Sequence, residues 1–199
     1  MNSQGAALLG SQLPTYRTVP SGAVSSWGPE AIDLIGTVGI KLDDGQQDIL
    51  NDGLSEKRDG QWLASEVADD EPRQNGKTLL LEARALAGLY LIKEPLIVWT
   101  AHQFKTAHLS FLSLKERITG YDHLRKRVKA IRSSTHAHEI ELFNPYRMCT
   151  FLARSGGSGR GFAQVAPLLL DESYAMTPEE MAALGRFFRK IAMASSLFR

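Results

Sequence analysis

The chain has 199 residues, of which 43% are hydrophobic and 23% charged, so it has the composition of an ordinary soluble globular protein with room for one well-packed domain. Its 23 basic and 22 acidic residues leave a formal charge of +1, which excludes a general electrostatic attraction to nucleic acid and requires any such contact to come from a local patch. One cysteine, Cys149, excludes an internal disulfide framework, and no apolar run approaches the roughly 20 residues that cross a bilayer.

The first part of the chain predicts a loosely ordered leader followed by two short helices. Residues 1–28 are rich in glycine, proline and serine with little periodicity, so we expect the domain proper to span 29–199. Pro29 is typical of the first turn of a helix, which Gly36 would end. The segment that starts at Leu42, LDDGQQDILNDGL, indicates another short helix.

The rest of the chain alternates strand and helix patterns. A strand of alternating polarity runs from Trp62 to Val67 and leads into EPRQNGKT. The elements predicted after it are a helix at 79–90, a buried strand at 96–100, a helix at 104–118, a hairpin of 138–143 and 146–152 turned at Asn144-Pro145, a strand at 167–170, and a helix at 178–191 begun by a capping box of Thr177 and Glu180. This order predicts an α/β fold with a mainly parallel central sheet flanked by helices.

The tripeptide Gly76-Lys77-Thr78 lies between the first strand pattern and a strong helix pattern. A phosphate-binding loop has this arrangement, because backbone N–H groups at a helix N-terminus surround the phosphates, a lysine reaches the β- and γ-phosphates, and a hydroxyl binds magnesium. The usual first glycine of such a loop would fall at Glu71. The tripeptide alone is therefore also consistent with an ordinary helix start that carries an incidental lysine.

A second candidate motif is the apolar strand that ends in Asp171-Glu172. Ligands bind at the carboxyl ends of strands in open α/β sheets, where the aspartate can hold the magnesium shell and the glutamate can polarise an attacking water. Alone, this segment is equally consistent with a strand followed by an acidic turn. Together, the order and strand-led context of the two motifs predict a P-loop NTPase that carries an additional strand between them.

Three other features admit a functional and a structural interpretation. The loop Arg154–Phe162, RSGGSGRGF, could place a guanidinium on a transferring phosphate, contact a DNA backbone or simply connect two strands. The basic run from Arg125 to Arg132 is interpreted as a solvated helix face, with DNA phosphate contact as the alternative. Cys149 is interpreted as a small core residue. Four histidines are interpreted as surface residues: His102, His108, His136 and His138.

Five stretches in order resemble the large terminase subunits of tailed phages, especially those of phages that infect actinobacteria. They are LDDGQQDIL, EPRQNGKTLLLEARALAGLY, VWTAHQFKTA, RSGGSGRGF and LLLDESYAMTPEEMAAL, and they cover roughly Trp27 to Leu184. The chain is thus similar to the N-terminal ATPase domain of that family. The family's phosphate loop commonly ends in RQxGK[ST], which explains the missing glycine.

The resemblance implies roles for individual residues. It implies that ATP is bound by Gln46, Arg73, Gln74, Asn75, Gly76, Lys77 and Thr78. Gln46 would read the adenine edge, and magnesium would be bound by Thr78 and Asp171. The implied catalytic residues are Glu172 as the catalytic glutamate, Arg73 as an aid to γ-phosphate sensing or catalysis, and Arg160 as an arginine finger acting on a neighbouring subunit's ATP.

The sequence departs from the family pattern in four places. Gly45 replaces the aromatic residue that commonly precedes the adenine glutamine. Acidic residues at 69–71 stand where the family has apolar residues, so we expect weakened nucleotide affinity. Ser195-Ser196 is a poor substitute for the Ser/Thr-rich coupling segment that the family carries on a strand. The C-terminal nuclease domain is missing, so no DNA cleavage by this chain is expected.

The resemblance also implies partners and a location. In an intact motor they are double-stranded DNA, the portal protein and the small terminase subunit, with a homo-oligomeric ring at the procapsid portal in the host cytoplasm and no membrane association. Two alternatives remain open. A superfamily 2 helicase-like ATPase shares an adenine glutamine, GKT and Asp-Glu, but its acidic box does not continue with Ser173-Tyr174 and it needs a second RecA-like domain. A catalytically silent, truncated terminase remnant would keep the motifs without turnover.

Overall fold

A computed structural model describes residues 14–71, 76–154, 167–173, 176–180 and 192–195, the last of these as backbone only. Its strands are β1 (Ser25–Ser26), β2 (Ser55–Glu56), β3 (Glu66–Asp69), β4 (Leu96–Ala101), β5 (Val128–Ser133), β6 (Ala137–Leu142), β7 (Arg147–Ala153), β8 (Leu168–Leu170) and β9 (Ala192–Ser195). Strands β1 and β2 form a small antiparallel pair. The other seven form one sheet in the order β3-β9-β8-β4-β7-β6-β5.

The main sheet is parallel over most of its width. Five strands, from β3 to β7 in the sheet order, run in the same direction. Strands β6 and β5 extend the sheet as antiparallel neighbours. The mainly parallel α/β sheet predicted from the alternation of elements is confirmed.

Helices pack around this sheet close to the predicted positions. They are α1 (Gly28–Gly36), α2 (Asp44–Gly53), α3 (Lys77–Ala87), α4 (Phe104–Gly120) and α5 (Asp122–Arg125). Helix α3 continues into a π-helical turn, Gly88–Ile92, and residues 178–180 begin a further helix. The predicted capping box there is confirmed, because Glu180 N–H donates to the Thr177 hydroxyl and Thr177 N–H donates to the Glu180 carboxylate.

Helix α3 is anchored on both sides by buried charged groups. Arg84 is 2% exposed and donates to both carboxylate oxygens of Glu94, at 2.8 and 2.7 Å. Glu82, 3% exposed, accepts from Arg117 of α4. Buried ion pairs of this kind fix geometry, because breaking one partner leaves an uncompensated charge in the interior. The helix that begins at Lys77 therefore has a fixed position relative to the sheet.

The core lies between the sheet and the helices on its faces. Strand β4 is almost wholly buried, as expected of a strand in the middle of a parallel sheet. The Trp99 and Phe151 rings stack with centroids 5.3 Å apart across β4 and β7. Cys149 is fully buried in β7, which confirms its interpretation as a core residue, and burial raises the pKa of its thiol well above the ordinary value.

Two sequence interpretations of this scaffold are wrong. The basic run from Arg125 to Arg132 is mostly the edge strand β5, with Arg125 in the short helix α5, and it is not a helix face. A bulge between Val128 and Ala130 places Val128 and Ile131, three residues apart, against the core, and this spacing imitates a helix. The first strand of the motif region starts at Glu66, four residues later than predicted.

The predictions for the two ends of the chain differ in how they compare with the structure. Within the predicted leader, Ser25–Ser26 forms β1, and Arg17 pairs with Asp48 and Asp52 of α2, while residues 1–13 lie outside the described residues. The boundary at 28 stays a prediction. Near the other end, Ala192–Ser195 forms β9 between β3 and β8, so a strand follows the last helix pattern.

Candidate functional site

The two candidate motifs meet at one edge of the sheet. Strands β3 and β8 are parallel and are separated by β9 alone, so their carboxyl ends lie about 10 Å apart along the same edge. This edge, with Asp69, Glu71, Asp171 and Glu172, is called the carboxyl edge below. The strand that the sequence predicted between the two motifs along the chain is β4, and in the sheet the unpredicted β9 lies between the two motif strands.

The start of α3 forms the first half of the site. Gly76 has φ of +83° and precedes Lys77, the first residue of the helix. A Cβ atom at position 76 would lie 2.4 Å from Gln46 Nε2, so only glycine fits both the left-handed backbone and the packed glutamine. Lys77 Nζ donates to the Glu71 backbone carbonyl at 2.5 Å. The lysine is therefore held on the backbone just beyond the end of β3.

Gln46 is brought to this half of the site by the start of α2. Its backbone N–H donates to Asp43 Oδ1 at 2.8 Å, and its side-chain oxygen accepts from the Asp43 N–H at 3.1 Å. This reciprocal capping box holds a side chain that is 6% exposed. The residue predicted to read adenine thus lies directly against Gly76, with its amide nitrogen on the loop side.

Carboxylates crowd the same half of the site. Burial raises the pKa of Asp69, with Asp70 and Asp43 adding to the shift and Lys77 opposing it. Burial also raises the pKa of Glu71, with Asp69 and Asp43 adding to it and Lys77 opposing it. In both groups the cost of desolvating a charge exceeds the attraction of the one nearby lysine. Acidic residues that the sequence predicted to oppose nucleotide binding thus lie near Lys77, and the weakened affinity stays a prediction.

The second half of the site follows β8. Asp171 is 6% exposed, its N–H donates to the Thr100 carbonyl at 2.9 Å, and Ser110 Oγ of α4 lies 3.4 Å from its Oδ2. Burial and then Glu172 raise the pKa of Asp171, while hydrogen bonds from the Glu172 N–H and Ser110, together with Arg154, oppose the shift. Glu172 has φ of +53°, a left-handed conformation that turns the chain away from the strand direction.

The sequence grouped Arg154 with the loop Arg154–Phe162, where a guanidinium could reach a phosphate or DNA, and it did not predict the contacts that Arg154 makes with the acidic motif. Arg154 follows β7, is 6% exposed, and donates to the Asp171 and Glu172 carbonyls at 2.7 Å each and to the Thr100 carbonyl at 3.4 Å. Its backbone N–H also continues the β4–β7 pairing by donating to the Ala101 carbonyl. The available signal was an arginine immediately after an apolar strand, one residue before the serine and glycine run.

The remaining predicted site residues are Thr78 and four residues outside the described ranges. Thr78 lies in the first turn of α3 and is exposed. Four predicted residues lie outside the described residues: Arg73, Gln74, Asn75 and Arg160. In the part of the chain that is described, no three His, Cys, Asp or Glu side chains cluster as metal ligands. Magnesium in phosphate sites is bound through one or two carboxylates together with substrate phosphates, so the buried Asp171 carboxylate and an exposed Thr78 hydroxyl fit that donor set.

The interpretation of all four histidines as surface residues is wrong for His138. It is 2% exposed, packs on Phe111 with ring centroids 4.6 Å apart, and its ring nitrogens lie 2.9 Å from His108 Nδ1 and from Ser133 Oγ. Burial first, and the charge of His108 second, lower the pKa of His138. Its alternation with Ile140 and Leu142 in β6 was the signal that placed it on the core face.

Comparisons with solved structures identify the fold. The chain is similar to the bacteriophage HK97 large terminase, with 18% identity, a TM-score of 0.64, and coverage of 86% of this chain and 38% of that one. It is also similar to the large terminase ATPase domain of Thermus phage P74-26, with 14% identity, a TM-score of 0.55, and coverage of 92% of this chain and 72% of that one. A mutant of the same P74-26 domain matches with 13% identity, a TM-score of 0.55, and coverage of 83% and 69%.

These similarities confirm, at the level of the fold, the resemblance to phage large terminases that the motifs indicated. No family model and no curated protein matches the chain. The chain spans little more than a third of the HK97 protein and about seven tenths of the P74-26 domain chains. None of the described helices is both long enough and apolar enough to cross a bilayer.

Proposed function

We propose that the chain is an ATPase domain of a phage DNA-packaging motor, which hydrolyses ATP with magnesium. One observation carries this proposal. The fold is shared with terminase ATPase domains. In it, Gly76 with a left-handed backbone and Lys77 at the start of α3 lie at the same sheet edge as Asp171-Glu172, with one strand between the two motif strands. Phosphate binding at a helix N-terminus and acidic residues at a neighbouring strand end are the two parts that phosphoryl transfer to water needs.

The residues in the two halves of the site have different roles. Lys77 exchanges its hydrogen bond with the Glu71 carbonyl for the β- and γ-phosphates of ATP, and Gln46 contacts the adenine. Thr78 and Asp171 hold magnesium, which when bound neutralises the negative charge that develops on the phosphate oxygens. Glu172 orients and polarises the attacking water. Arg73 contacts the γ-phosphate, and Arg160 reaches the ATP of a neighbouring subunit.

The proposed partners follow from the proposed motor. They are double-stranded DNA, the portal protein and the small terminase subunit, with subunits arranged in a ring at the procapsid portal in the host cytoplasm. Support comes from the P-loop architecture and from the large terminases whose fold the chain shares. The proposal assigns this chain the ATPase step of packaging.

A silent terminase remnant is the second candidate, and one observation favours it. The positive charge of Lys77 lowers the pKa of Asp69 and of Glu71. Burial raises both pKa values by more than the lysine lowers them. ATP brings several negative charges into this environment, so the carboxylates oppose its binding. In this alternative the motifs are inherited but nucleotide is not bound.

ATP hydrolysis by the purified chain with magnesium separates the two candidates. We expect turnover that falls roughly 10²–10⁴-fold in Glu172→Gln, the range for loss of a general base, with nucleotide binding retained. In Lys77→Ala we expect both binding and turnover to be lost, because the cation that contacts the phosphates is removed. Matched controls are Lys115→Ala and Glu116→Gln, which change the same residue types on the exposed surface of α4 and leave turnover unchanged.

The outcomes assign the chain to one candidate. Turnover that is lost in both site variants and kept in both controls establishes the active site. A wild-type chain that neither hydrolyses nor binds ATP is the silent remnant. Turnover that survives Glu172→Gln would contradict the assignment of the catalytic glutamate.

A further inference from the structure

Arg154 links the ends of three neighbouring strands. Its guanidinium donates to the carbonyls of Asp171, Glu172 and Thr100, and its backbone N–H donates to the carbonyl of Ala101. Thr100 and Ala101 end β4, Arg154 follows β7, and Asp171 follows β8. A planar guanidinium can hold two carbonyls in a fixed fork, and an ammonium group, as a point charge, cannot. The side chain is therefore built into the carboxyl edge as a clamp on its backbone.

The clamp acts at one of the three non-glycine residues that have a positive φ in the described part of the chain. Glu172 is a non-glycine residue with φ of +53°, a conformation that persists only when the surroundings enforce it. Arg154 Nη2 holds the Glu172 carbonyl at 2.7 Å, and Nη1 holds the preceding carbonyl at the same distance. The direction of the Glu172 side chain depends on this backbone turn, so Arg154 controls where the carboxylate points.

We propose that Arg154 is a positioning residue for the hydrolytic step, which orients Glu172 by holding the two backbone carbonyls on either side of its Cα atom. This inference rests on the proposed ATPase function. Arg154 contacts neither nucleotide nor water in this role, and it acts through Glu172.

A second buried arginine on the same strand provides the matched control. Arg147 lies at the other end of β7, is fully buried, and likewise donates to backbone carbonyls, including those of Pro145 at 3.0 Å and Leu89. It lies at the end of the sheet opposite to the carboxyl edge, so its substitution disturbs packing without touching Glu172. Arg154→Lys and Arg147→Lys are therefore the same chemical change at two buried positions, one at each end of the same strand.

The test is steady-state ATP hydrolysis by the full chain carrying Arg154→Lys, Arg154→Gln or Arg147→Lys, with nucleotide affinity and thermal unfolding measured in parallel. We expect both Arg154 variants to lower kcat by about 10- to 100-fold, since a small misplacement of a catalytic group has this effect, with KM and nucleotide Kd within about twofold of the wild type. Arg147→Lys lowers the unfolding temperature but keeps kcat within about twofold. If only the positive charge of Arg154 mattered, kcat would be kept in Arg154→Lys and lowered only in Arg154→Gln.

A double-mutant cycle tests whether the residue acts through Glu172. In a Glu172→Gln background we expect Arg154→Lys to cause no further loss of the residual turnover, because the group that it orients is gone. A full additional loss in that background, or unchanged kcat in a folded Arg154→Lys chain, would overturn the inference and leave the proposed function intact. Absence of turnover in the wild type would overturn the proposed function and this inference with it. If Arg154→Lys unfolds, the same criteria apply to Arg154→Gln.

Discussion

The carboxyl edge and the β5–β6 hairpin contain the same kind of acidic side chain in opposite electrostatic conditions. At the carboxyl edge, burial raises the pKa of Asp69, Glu71 and Asp171. In the hairpin, Glu141 is also buried, but Arg132 binds it and holds its pKa below the ordinary value, with Lys129 adding to the effect at 3.5 Å. The two regions differ in whether cross-strand cations offset the cost of burial.

This difference separates scaffold from site. The hairpin pairs each acidic side chain with a cation on the neighbouring strand, which is how an edge strand keeps its charges compatible with folding. The carboxyl edge retains carboxylates whose charged forms are disfavoured by their surroundings. Carboxylates whose charged forms are disfavoured in this way are candidates for catalysis or metal binding, because a bound substrate or cation supplies the interaction that the protein itself does not provide.

The largest expected effect is that of Asp171→Asn. We expect turnover to fall at least about 10²-fold, because an amide is a poor magnesium ligand, while the unfolding temperature rises by about 2–4 °C, the change that 1 kcal/mol produces in a domain of this size. The folded state binds an extra proton between the ordinary and the raised carboxyl pKa, so the free energy of unfolding falls as pH rises through that interval and stays lower at neutral pH. The amide removes this cost.

ATP hydrolysis assays and thermal unfolding of Asp171→Asn and the wild type at neutral pH measure the two expected changes. Asp33→Asn, an exposed aspartate of α1, serves as the control and changes neither quantity. A lower unfolding temperature in Asp171→Asn would show that the carboxylate stabilises the fold, and the contrast between the two regions would fail at its main residue.

A smaller effect is expected for nucleotide affinity in Asp69→Asn and Glu71→Gln. Each removes one negative charge beside Lys77, so ATP should bind about threefold to tenfold more tightly at low salt, and the gain should shrink as salt screens the charges. Calorimetric titration with a non-hydrolysable ATP analogue measures it. Asp59→Asn changes an exposed aspartate in a turn and should leave affinity unchanged. Equal affinity in all variants would mean that the acidic residues do not oppose nucleotide binding.

The smallest effect is expected in the hairpin. Glu141→Gln should lower the free energy of unfolding by about 0.2–1 kcal/mol at neutral pH, since Arg132 is 54% exposed and solvent screens the pair. Because the pKa of Glu141 is lowered in the fold, its contribution is present above the ordinary carboxyl pKa and is lost as pH falls through the lowered value. Urea unfolding near neutral pH and in acid tests this dependence.

The control for Glu141→Gln is Glu66→Gln, an exposed glutamate on β3 at the other edge of the sheet. Its stability should match that of the wild type at both pH values. A Glu141→Gln chain that is more stable than the wild type at neutral pH would remove the distinction between the two regions.

Much of the fold was predictable because it depends on local patterns. The period of apolar residues located α3 and α4, the run Leu96–Thr100 located β4, and the reciprocal hydrogen bonds of Thr177 and Glu180 were readable as a capping box. Local rules failed at β5, where a bulge changes the alternation of Val128 and Ile131. They failed again at His138, whose burial depends on aromatic residues of α4.

The candidate site divides in the same way. The sequence by itself determined the two motifs, since Gly76-Lys77-Thr78 and Asp171-Glu172 are short segments whose chemistry is contained in their residue types and strand context. Only the tertiary structure decided that Gln46 packs on Gly76 and that Arg154 clamps Glu172. These contacts join residues that are 30 and 18 positions apart. The first contact depends on how the starts of α2 and α3 pack together. The second follows from the order β8-β4-β7, which places the ends of separate strands at one edge and which no local pattern encodes.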